Sequence, residues 1–374
     1  MISSAASGFD VFNKEKNNFN LVRLFAALAV IYAHSHAISP TPGLVDVIAA
    51  YTGGVAHSGS IAVDIFFFLS GALVLKSLVE TPDLSGFVLK RVMRIYPGLI
   101  VCCAIVTFLV APIFGGQDFF YVFSQSQAWR YFYMNSLAVW NEHVIPGIFS
   151  DHPYQGLNGS LWSVTLEVRL YFVLALFGLF GLAVSRKIIQ IALFSSILLI
   201  AICPGAIPIL GNNQDTFGNY DFPSHAIIFF IGGLYYLLHD SFKFTKWTLL
   251  VSIFLMLLTR GTPAFPIMIS TVGITLALLF GTSRVALRFP LQNDLSYGVY
   301  LYGWPSQQIT RTLFPHSGPH LNAAVAMIIA LGLAALSWRL VERPCINLAH
   351  ALAKKGFPFR KQPSTFSERP TVAL

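Results

Sequence analysis

The first apolar stretch of the sequence carries ionisable side chains near both of its ends. Arg23 and His34 lie eleven positions apart in "NLVRLFAALAVIYAHSHAI", so on a helix they share one face, separated by three turns or about 16 Å. Arginine is suited to phosphate recognition, and histidine to proton transfer or nucleophilic attack. A ligand that reaches both is therefore long, anionic at one end and reactive at the other, which is the character of an acyl-CoA. His36 faces elsewhere and is a secondary candidate.

Two carboxylates follow in later apolar stretches. Asp64 lies in "SGSIAVDIFFFLSGALV" and Glu167 in "NGSLWSVTLEVRLYF", each two turns from the outer end of its predicted helix and so at a depth similar to that of His34. A histidine and two carboxylates at one depth predict a catalytic base with an orienting partner, as acyl transfer to a hydroxyl requires. An isolated histidine that only bonds a neighbouring helix is the alternative, and it is less favoured because three ionisable groups lie at one depth.

A pair of arginines precedes the third apolar stretch. Arg91 and Arg94 in "KRVMRIYPGL" are three positions apart and fall on one helical face. They could clamp an anionic group, or they could simply be the positive cluster expected at the cytoplasmic end of a span. Spacing alone slightly favours the positive cluster of a span end.

Composition predicts the elements that must hold these residues. The chain has 374 residues, 55% hydrophobic and only 11% charged, with a mean hydropathy of +0.66, whereas soluble domains carry about 25% charged residues. We therefore predict an all-α integral membrane protein with about ten transmembrane helices. The predicted spans lie near residues 21–38, 58–79, 97–114, 160–182, 188–203, 223–239, 247–259, 264–281, 295–313 and 321–341.

Lysine and arginine predict the orientation of this bundle. A cytoplasmic N-terminus places 20 of the 24 Lys and Arg residues on the cytoplasmic side, so both termini are predicted to be cytoplasmic. The net charge of +8 then reflects topology and attraction to anionic lipid, and it gives no reason to expect nucleic-acid binding. Residues 1–345 are predicted to form the membrane domain, and 346–374 a basic cytoplasmic tail.

The loops add a possible acceptor entrance and no metal site. The longest predicted outer loop, 115–159, is rich in aromatic, amide and hydroxyl side chains, and a loop of that length is usually functional or disordered. Its residues 141–159 and the segment "GNNQDTFGNY" at 211–220 could line an acceptor entrance. The cysteines are not spaced as metal ligands are, so we expect no metal. Six further histidines are interpreted as solvated residues of outer loops or helix ends: His57, His143, His152, His225, His316 and His320.

Six segments in the same order resemble the membrane-bound acyltransferase family 3, over about residues 20–345. They are the Arg23 to His34 spacing, "VDIFFFLSG", "RVMRIYP", "SLWSVTLEVRLY", "LSYGVYLYGWP" and "SWRLVERP". One departure stands out, because Gly303 occupies a position of the fifth segment where the family often has a histidine. A role of that histidine is then unfilled, or is taken by Tyr302 or a neighbour.

The resemblance implies a ten-helix core that uses acyl-CoA as co-substrate and O-acylates a surface glycan. Carried over residue by residue, it assigns Arg23, Arg91 and Arg94 to the donor, His34 to catalysis and Glu167 to transfer, while Asp64 is added from its depth. The acceptor is expected to be a cell-surface or lipid-linked carbohydrate and the location a bacterial inner membrane. The oligomeric state stays open.

Two other classes of protein are compatible with buried charges in a membrane domain. A transporter or flippase of a glycan or organic anion could use them as a proton relay, although no inverted repeat is visible. A membrane scaffold without chemistry would leave the costs of burying Arg23, His34, Asp64 and Glu167 uncompensated, and it is the least favoured interpretation.

Overall fold

The computed structural model describes residues 11–355 except 14, 82, 204–212, 216–217 and 221. Within that part the chain is helical apart from one short antiparallel hairpin. The helices are α1 Phe19–Ile38, α2 Val47–Thr52, α3 Ser58–Glu80, α4 Leu84–Ile105, α5 Ala111–Phe114, α6 Tyr121–Ser124, α7 Ser126–Ser136, α8 Leu161–Leu179, α9 Arg186–Ile202, α10 Phe222–Leu238, α11 Lys246–Leu258, α12 Phe265–Gly281, α13 Arg284–Leu287, α14 Ser296–Leu313, α15 Pro319–Ser337 and α16 Arg343–Lys355. Strands β1 Asn213–Asp215 and β2 Gly218–Tyr220 form the hairpin, and π-helical turns at Val106–Val110 and Trp338–Glu342 join α4 to α5 and α15 to α16.

Several helices are long and apolar enough to cross a membrane. Among the residues that the structure describes there are five such segments: Phe19–Ile38, Ser58–Glu80, Leu84–Phe114, Leu161–Leu179 and Pro319–Lys354. Three shorter apolar helices, α10, α11 and α12, accompany them. This is consistent with an integral membrane protein, as predicted. Each of the ten predicted spans overlaps a helix, but ten crossings and cytoplasmic termini stay predictions.

The helix that contains the third predicted span begins before that span. This helix, α4, begins at Leu84 rather than near residue 97, because the Asp83 side chain caps it by accepting from the Gly86 N–H at 2.5 Å,. Phe87 and Ile95 are buried on this added part, so packing stabilises it despite its charged residues. Arg91 and Arg94 consequently belong to a helix that packs within the bundle.

Helices α3 and α10 cross at a very small separation. A Cβ added to Gly71 would lie 1.8 Å from the carbonyl oxygen of Phe229, and one added to Gly232 would lie 2.0 Å from that of Phe68. Only glycine allows two backbones to approach this closely, a common device between membrane helices. The crossing fixes α3, which carries Asp64, against α10, which carries His225.

Helix α14 lies at the centre of the bundle and is buried along most of its length. Two of its buried side chains donate to neighbouring backbone: Gln307 Nε2 donates to the Ile31 oxygen of α1 at 2.8 Å, and Trp304 Nε1 to the Gly156 oxygen at 2.8 Å. Because buried polar groups are costly unless bonded, the first contact fixes α14 against α1 and the second fixes it against the segment that precedes α8.

The long segment between α7 and α8 is packed onto α14. Asn158 Nδ2 donates to the Leu301 oxygen at 2.9 Å, and His152 Nδ1 lies 2.8 Å from Gln308 Oε1. His143 and His152 are only 5% and 8% exposed, which corrects their interpretation as solvated histidines. The segment between α7 and α8 is therefore folded and packs against α14.

The C-terminal helix crosses the predicted domain boundary. Helix α16 continues through residue 345 and packs against α4, so the first part of the predicted tail is an element of the helical fold. The remainder, residues 356–374, lies outside the described residues.

Candidate active site

Two of the predicted donor arginines converge on one buried carboxylate that sequence reasoning missed. Asp294, just before α14, lies 2.6 Å from Arg23 Nη1 and 2.5 Å from Arg94 Nη2. The Ser296 N–H donates to the same carboxylate at 3.2 Å. Burial alone would raise the pKa of Asp294, but Arg23, Arg94 and the Ser296 hydrogen bonds outweigh it and lower the pKa to about 2,. Asp294 is therefore ionised at neutral pH and joins α1, α4 and α14.

A second missed carboxylate lies on the other side of Arg94. Glu342 is 1% exposed, its Oε2 lies 3.8 Å from Arg94 Nη1, and its Oε1 accepts from Ser337 Oγ at 2.9 Å. Both missed acids belong to or adjoin sequence segments already recognised, "LSYGVYLYGWP" and "SWRLVERP". The sequence signal that could have found them is an acidic residue within or directly beside an apolar segment.

Arg91 differs from the other two arginines. Its guanidinium lies over the Tyr171 ring at 5.9 Å, and Nη2 is 3.4 Å from Ser77 Oγ. Within the described part of the chain no carboxylate pairs with it, and its Nε is buried without a hydrogen-bond partner, as is the Nε of Arg23. Unmet donors on buried guanidiniums are what an incoming anion would satisfy. The three predicted donor residues thus form one cluster, with Arg91 its least compensated cation.

Glu167 lies beside this cluster rather than beside His34. Its Oε1 accepts from Ser70 Oγ and from the Tyr171 hydroxyl, both at 2.6 Å. It shares with Arg23 a narrow cavity of about 40 Å³, hereafter the arginine cavity, which has room for about one water molecule. The lining comprises Arg23, Val63, Phe66, Phe67, Ser70, Ser163, Val164, Glu167, Tyr297 and Tyr300.

His34 lines a second and much larger cavity of about 500 Å³, hereafter the histidine cavity. Its ring meets that of Trp304 edge to face at 4.8 Å, and its Nδ1 is buried without a hydrogen-bond partner. Trp304 is the neighbour of Gly303, the position where the family often has histidine. A Cβ at Gly303 would already lie 2.7 Å from Ile31 Cγ1, so a larger side chain does not fit between α14 and α1. Trp304 therefore contacts His34, whereas Tyr302 is not among the residues that line the histidine cavity.

Asp64 lines the histidine cavity but does not orient His34. Its Oδ1 lies 2.7 Å from His225 Nδ1, and its Oδ2 accepts from Ser270 Oγ at 2.5 Å. The structure therefore separates the three groups that depth alone placed together: His34 and Asp64 share one cavity, and Glu167 lines the other. It also corrects the interpretation of His225 as a solvated histidine, because its side chain is only 14% exposed.

The two cavities meet through shared residues. Val63 and Tyr300 line both, and Tyr300 is held by hydrogen bonds to Ser163 Oγ at 2.6 Å and to the Ser160 oxygen at 3.0 Å. The arginine cluster and the histidine cavity thus lie at opposite ends of α1, with the narrow arginine cavity between them. Among the described residues no three His, Cys, Asp or Glu side chains are grouped as a metal site requires.

Comparison with known proteins places this geometry in a family. Residues 16–339 match the acyltransferase domain of acyltransferase family 3. The chain is 29% identical over 340 residues to a protein named O-acetyl transferase from Shigella phage Sf6, covering 88% of this chain and 96% of that protein. It is 25% identical over 370 residues to nodulation protein 10 of Rhizobium leguminosarum bv. viciae, covering 91% and 96% respectively. No solved structure matches significantly. Since the family match covers most of the sequence, the chain belongs to acyltransferase family 3, and its resemblance to that family is confirmed.

Proposed function

We propose that this protein is an integral-membrane O-acyltransferase that moves an acyl group, acetyl in the first instance, from acyl-CoA to a hydroxyl of a cell-surface or lipid-linked carbohydrate. The observation that carries the proposal is the arrangement along α1, where a buried guanidinium cluster at one end faces a histidine-lined cavity at the other. The similarity to a protein named O-acetyl transferase supports O-acetylation as the reaction.

In this proposal the donor approaches from the cytoplasmic side of a bacterial inner membrane. Its phosphates are held by Arg23, Arg91 and Arg94, whose planar guanidiniums suit bidentate contact with phosphate oxygens. Arg23 and Arg94 already bind Asp294, so phosphate binding involves sharing or displacing that carboxylate. Arg91 offers a charge without such competition.

The acyl end of the donor is directed towards the histidine cavity. The arginine cavity of about 40 Å³ is too small for a pantetheine arm, so donor binding requires movement of the aromatic side chains that line it, Phe66 and Tyr300 among them. Glu167, bonded to Ser70 and Tyr171 on this route, is placed to hold the lining in position.

His34 lies where the thioester would arrive. It acts either as a base towards the acceptor hydroxyl or as a nucleophile that carries the acyl group transiently. Its buried, unbonded Nδ1 leaves the ring without an orienting carboxylate. The histidine cavity, with a volume typical of ligand sites, would receive the sugar.

The test is acyl transfer by the purified protein in lipid vesicles, with labelled acetyl-CoA and a crude surface-glycan extract. The wild type is expected to label the glycan and to release CoA. Both activities should be lost in His34→Ala and Arg23→Ala. They should be kept in the matched controls His316→Ala and Arg284→Ala, which alter exposed residues. Folded wild type that neither binds acetyl-CoA nor releases CoA would refute the proposal. Solute movement without thioester consumption would favour a transporter or flippase instead.

A further inference from the structure

The histidine cavity contains a second histidine in a setting that His34 lacks. Helix α10 contributes His225 from its first turn, and α3 contributes Asp64, which is 6% exposed. The 2.7 Å contact joins Asp64 Oδ1 to His225 Nδ1, while Ser270 Oγ of α12 occupies the other carboxylate oxygen at 2.5 Å. Three helices therefore build this carboxylate–histidine pair.

The pair determines which nitrogen of His225 is basic. An ionised carboxylate only accepts hydrogen bonds, so Nδ1 carries the hydrogen and Nε2 carries the lone pair, a tautomer assigned from the hydrogen-bond network. Nε2 makes no hydrogen bond within the described part of the chain, and the side chain lines the histidine cavity. The available lone pair thus belongs to a residue on the cavity wall.

Aromatic rings hold the imidazole in place. Phe67 stacks on His225 at 5.3 Å with an interplanar angle of 24°, and Trp162 packs against it at 5.2 Å. A ring that is fixed by stacking and by a carboxylate has little freedom left, which is what positions a catalytic base before substrate binds.

The other two histidines of the cavity lack this arrangement. His34 Nδ1 has no partner, and His57 Nδ1 accepts from the Ser60 N–H at 3.1 Å because His57 caps α3. Among the cavity histidines within the described chain, His225 is the one bonded to a carboxylate.

We propose that His225, oriented by Asp64, is the general base that takes the proton from the acceptor hydroxyl. The assignment rests on the proposed function. As Nε2 of His225 accepts the hydroxyl proton, the acceptor oxygen bonds to the acyl carbon and the bond from that carbon to the CoA sulfur breaks. The proton then passes from His225 to the departing sulfur, so an ester and the free thiol of CoA are the products. In this direct transfer His34 is left to bind the acyl end of the donor.

The first experiment measures transfer by His225→Gln in lipid vesicles with labelled acetyl-CoA and the crude glycan extract. We expect kcat to fall at least 100-fold, with KM for acetyl-CoA within about threefold of the wild type, because a general base contributes about 10²–10⁴ to the rate. The control His316→Gln, at an exposed position, should stay within twofold. Asp64→Asn should lower kcat by about 10- to 100-fold, and the double variant should be no slower than His225→Gln alone, since the two residues act as a unit.

A second measurement separates a base from a structural residue. Imidazole should raise the transfer rate of His225→Ala at least tenfold, because the cavity can admit the small base. A kcat for His225→Gln above one tenth of the wild-type value would overturn the assignment. So would loss of acetyl-CoA binding in that variant, or no rescue by imidazole in a variant that still binds acetyl-CoA. A wild type that does not consume acetyl-CoA would overturn the proposed function, and the assignment with it.

Discussion

The contact of Asp294 with two arginines gives a quantitative prediction for stability and for anion binding. Its side chain is 13% exposed, and those of Arg23 and Arg94 are 17% exposed, so solvent screens these pairs only weakly. The pKa of about 2, against an ordinary 3.8, corresponds to about 2 kcal/mol in favour of the folded state. Because the folded pKa is the lower one, this contribution is present above about pH 4 and is lost as the pH falls from there towards 2.

Replacing the carboxylate should therefore destabilise the protein at neutral pH. Asp294→Asn leaves Arg23 without its counter-ion and Arg94 with Glu342 alone, at 3.8 Å. Complete loss of a buried partner costs about 3–5 kcal/mol; because Glu342 remains, we expect about 2–4 kcal/mol, or a thermal midpoint lower by about 4–8 °C in a domain of this size. The matched control is Asp240→Asn, because Asp240 is 67% exposed and 4.0 Å from Arg186, a surface pair worth under about 1 kcal/mol. The assay is thermal unfolding in detergent with and without CoA, since CoA should raise the midpoint of Asp294→Asn more than that of the wild type.

Two results would refute this reasoning. A midpoint for Asp294→Asn within 1 °C of the wild type would show that Arg23 and Arg94 do not depend on this carboxylate. Stabilisation of the wild type by CoA that disappears in Asp294→Asn would show that Asp294 builds the anion site and does not compete with the ligand.

The remaining predictions concern the donor route and helix packing. Arg91→Gln should weaken acetyl-CoA binding about 10- to 100-fold, because a charge-assisted hydrogen bond contributes about 1.5–3 kcal/mol. Titration calorimetry with acetyl-CoA measures this, with Arg284→Gln as the control variant. Equal affinities of Arg91→Gln and the control for acetyl-CoA would exclude Arg91 from the donor site. Glu167→Gln should lower kcat at least tenfold while the thermal midpoint moves by less than about 3 °C, and unchanged kcat would remove Glu167 from the transfer route. Gly71→Ala should prevent folding or lower the thermal midpoint by more than about 10 °C, because its Cβ would overlap the Phe229 oxygen at 1.8 Å. The control Gly332→Ala, with nothing within 4 Å of the added Cβ, should be neutral or stabilising. Similar thermal midpoints for the two variants would contradict the packing argument.

The sequence by itself determined the class of the protein and the residues worth examining. Low charge and high hydropathy indicate membrane helices because hydrocarbon excludes unpaired charge. Helical periodicity alone places Arg23 and His34 on one face of α1, three turns apart. The six recognised segments predicted the family, which the comparison confirms over residues 16–339.

Tertiary structure alone decided the partners of these residues. Arg23 meets Asp294, which is 271 positions away, and Asp64 meets His225, which is 161 positions away. Periodicity shows which side chains share a face of one helix, but it does not show which helix that face meets. The predicted depth in the membrane grouped Glu167 with His34. The packing of α3 against α8 instead turns Glu167 towards Ser70 and the arginine cavity.

The same limit explains the start of α4 and the burial of His225. Hydropathy finds apolar runs, and the charged first half of α4 becomes helical because Asp83 caps it and Phe87 and Ile95 are buried by other elements. His225 precedes an apolar run and resembles a solvated helix-end residue in sequence. Its burial follows from the close crossing of α3 and α10, which no local pattern encodes, because a contact between two helices depends on the shapes of both.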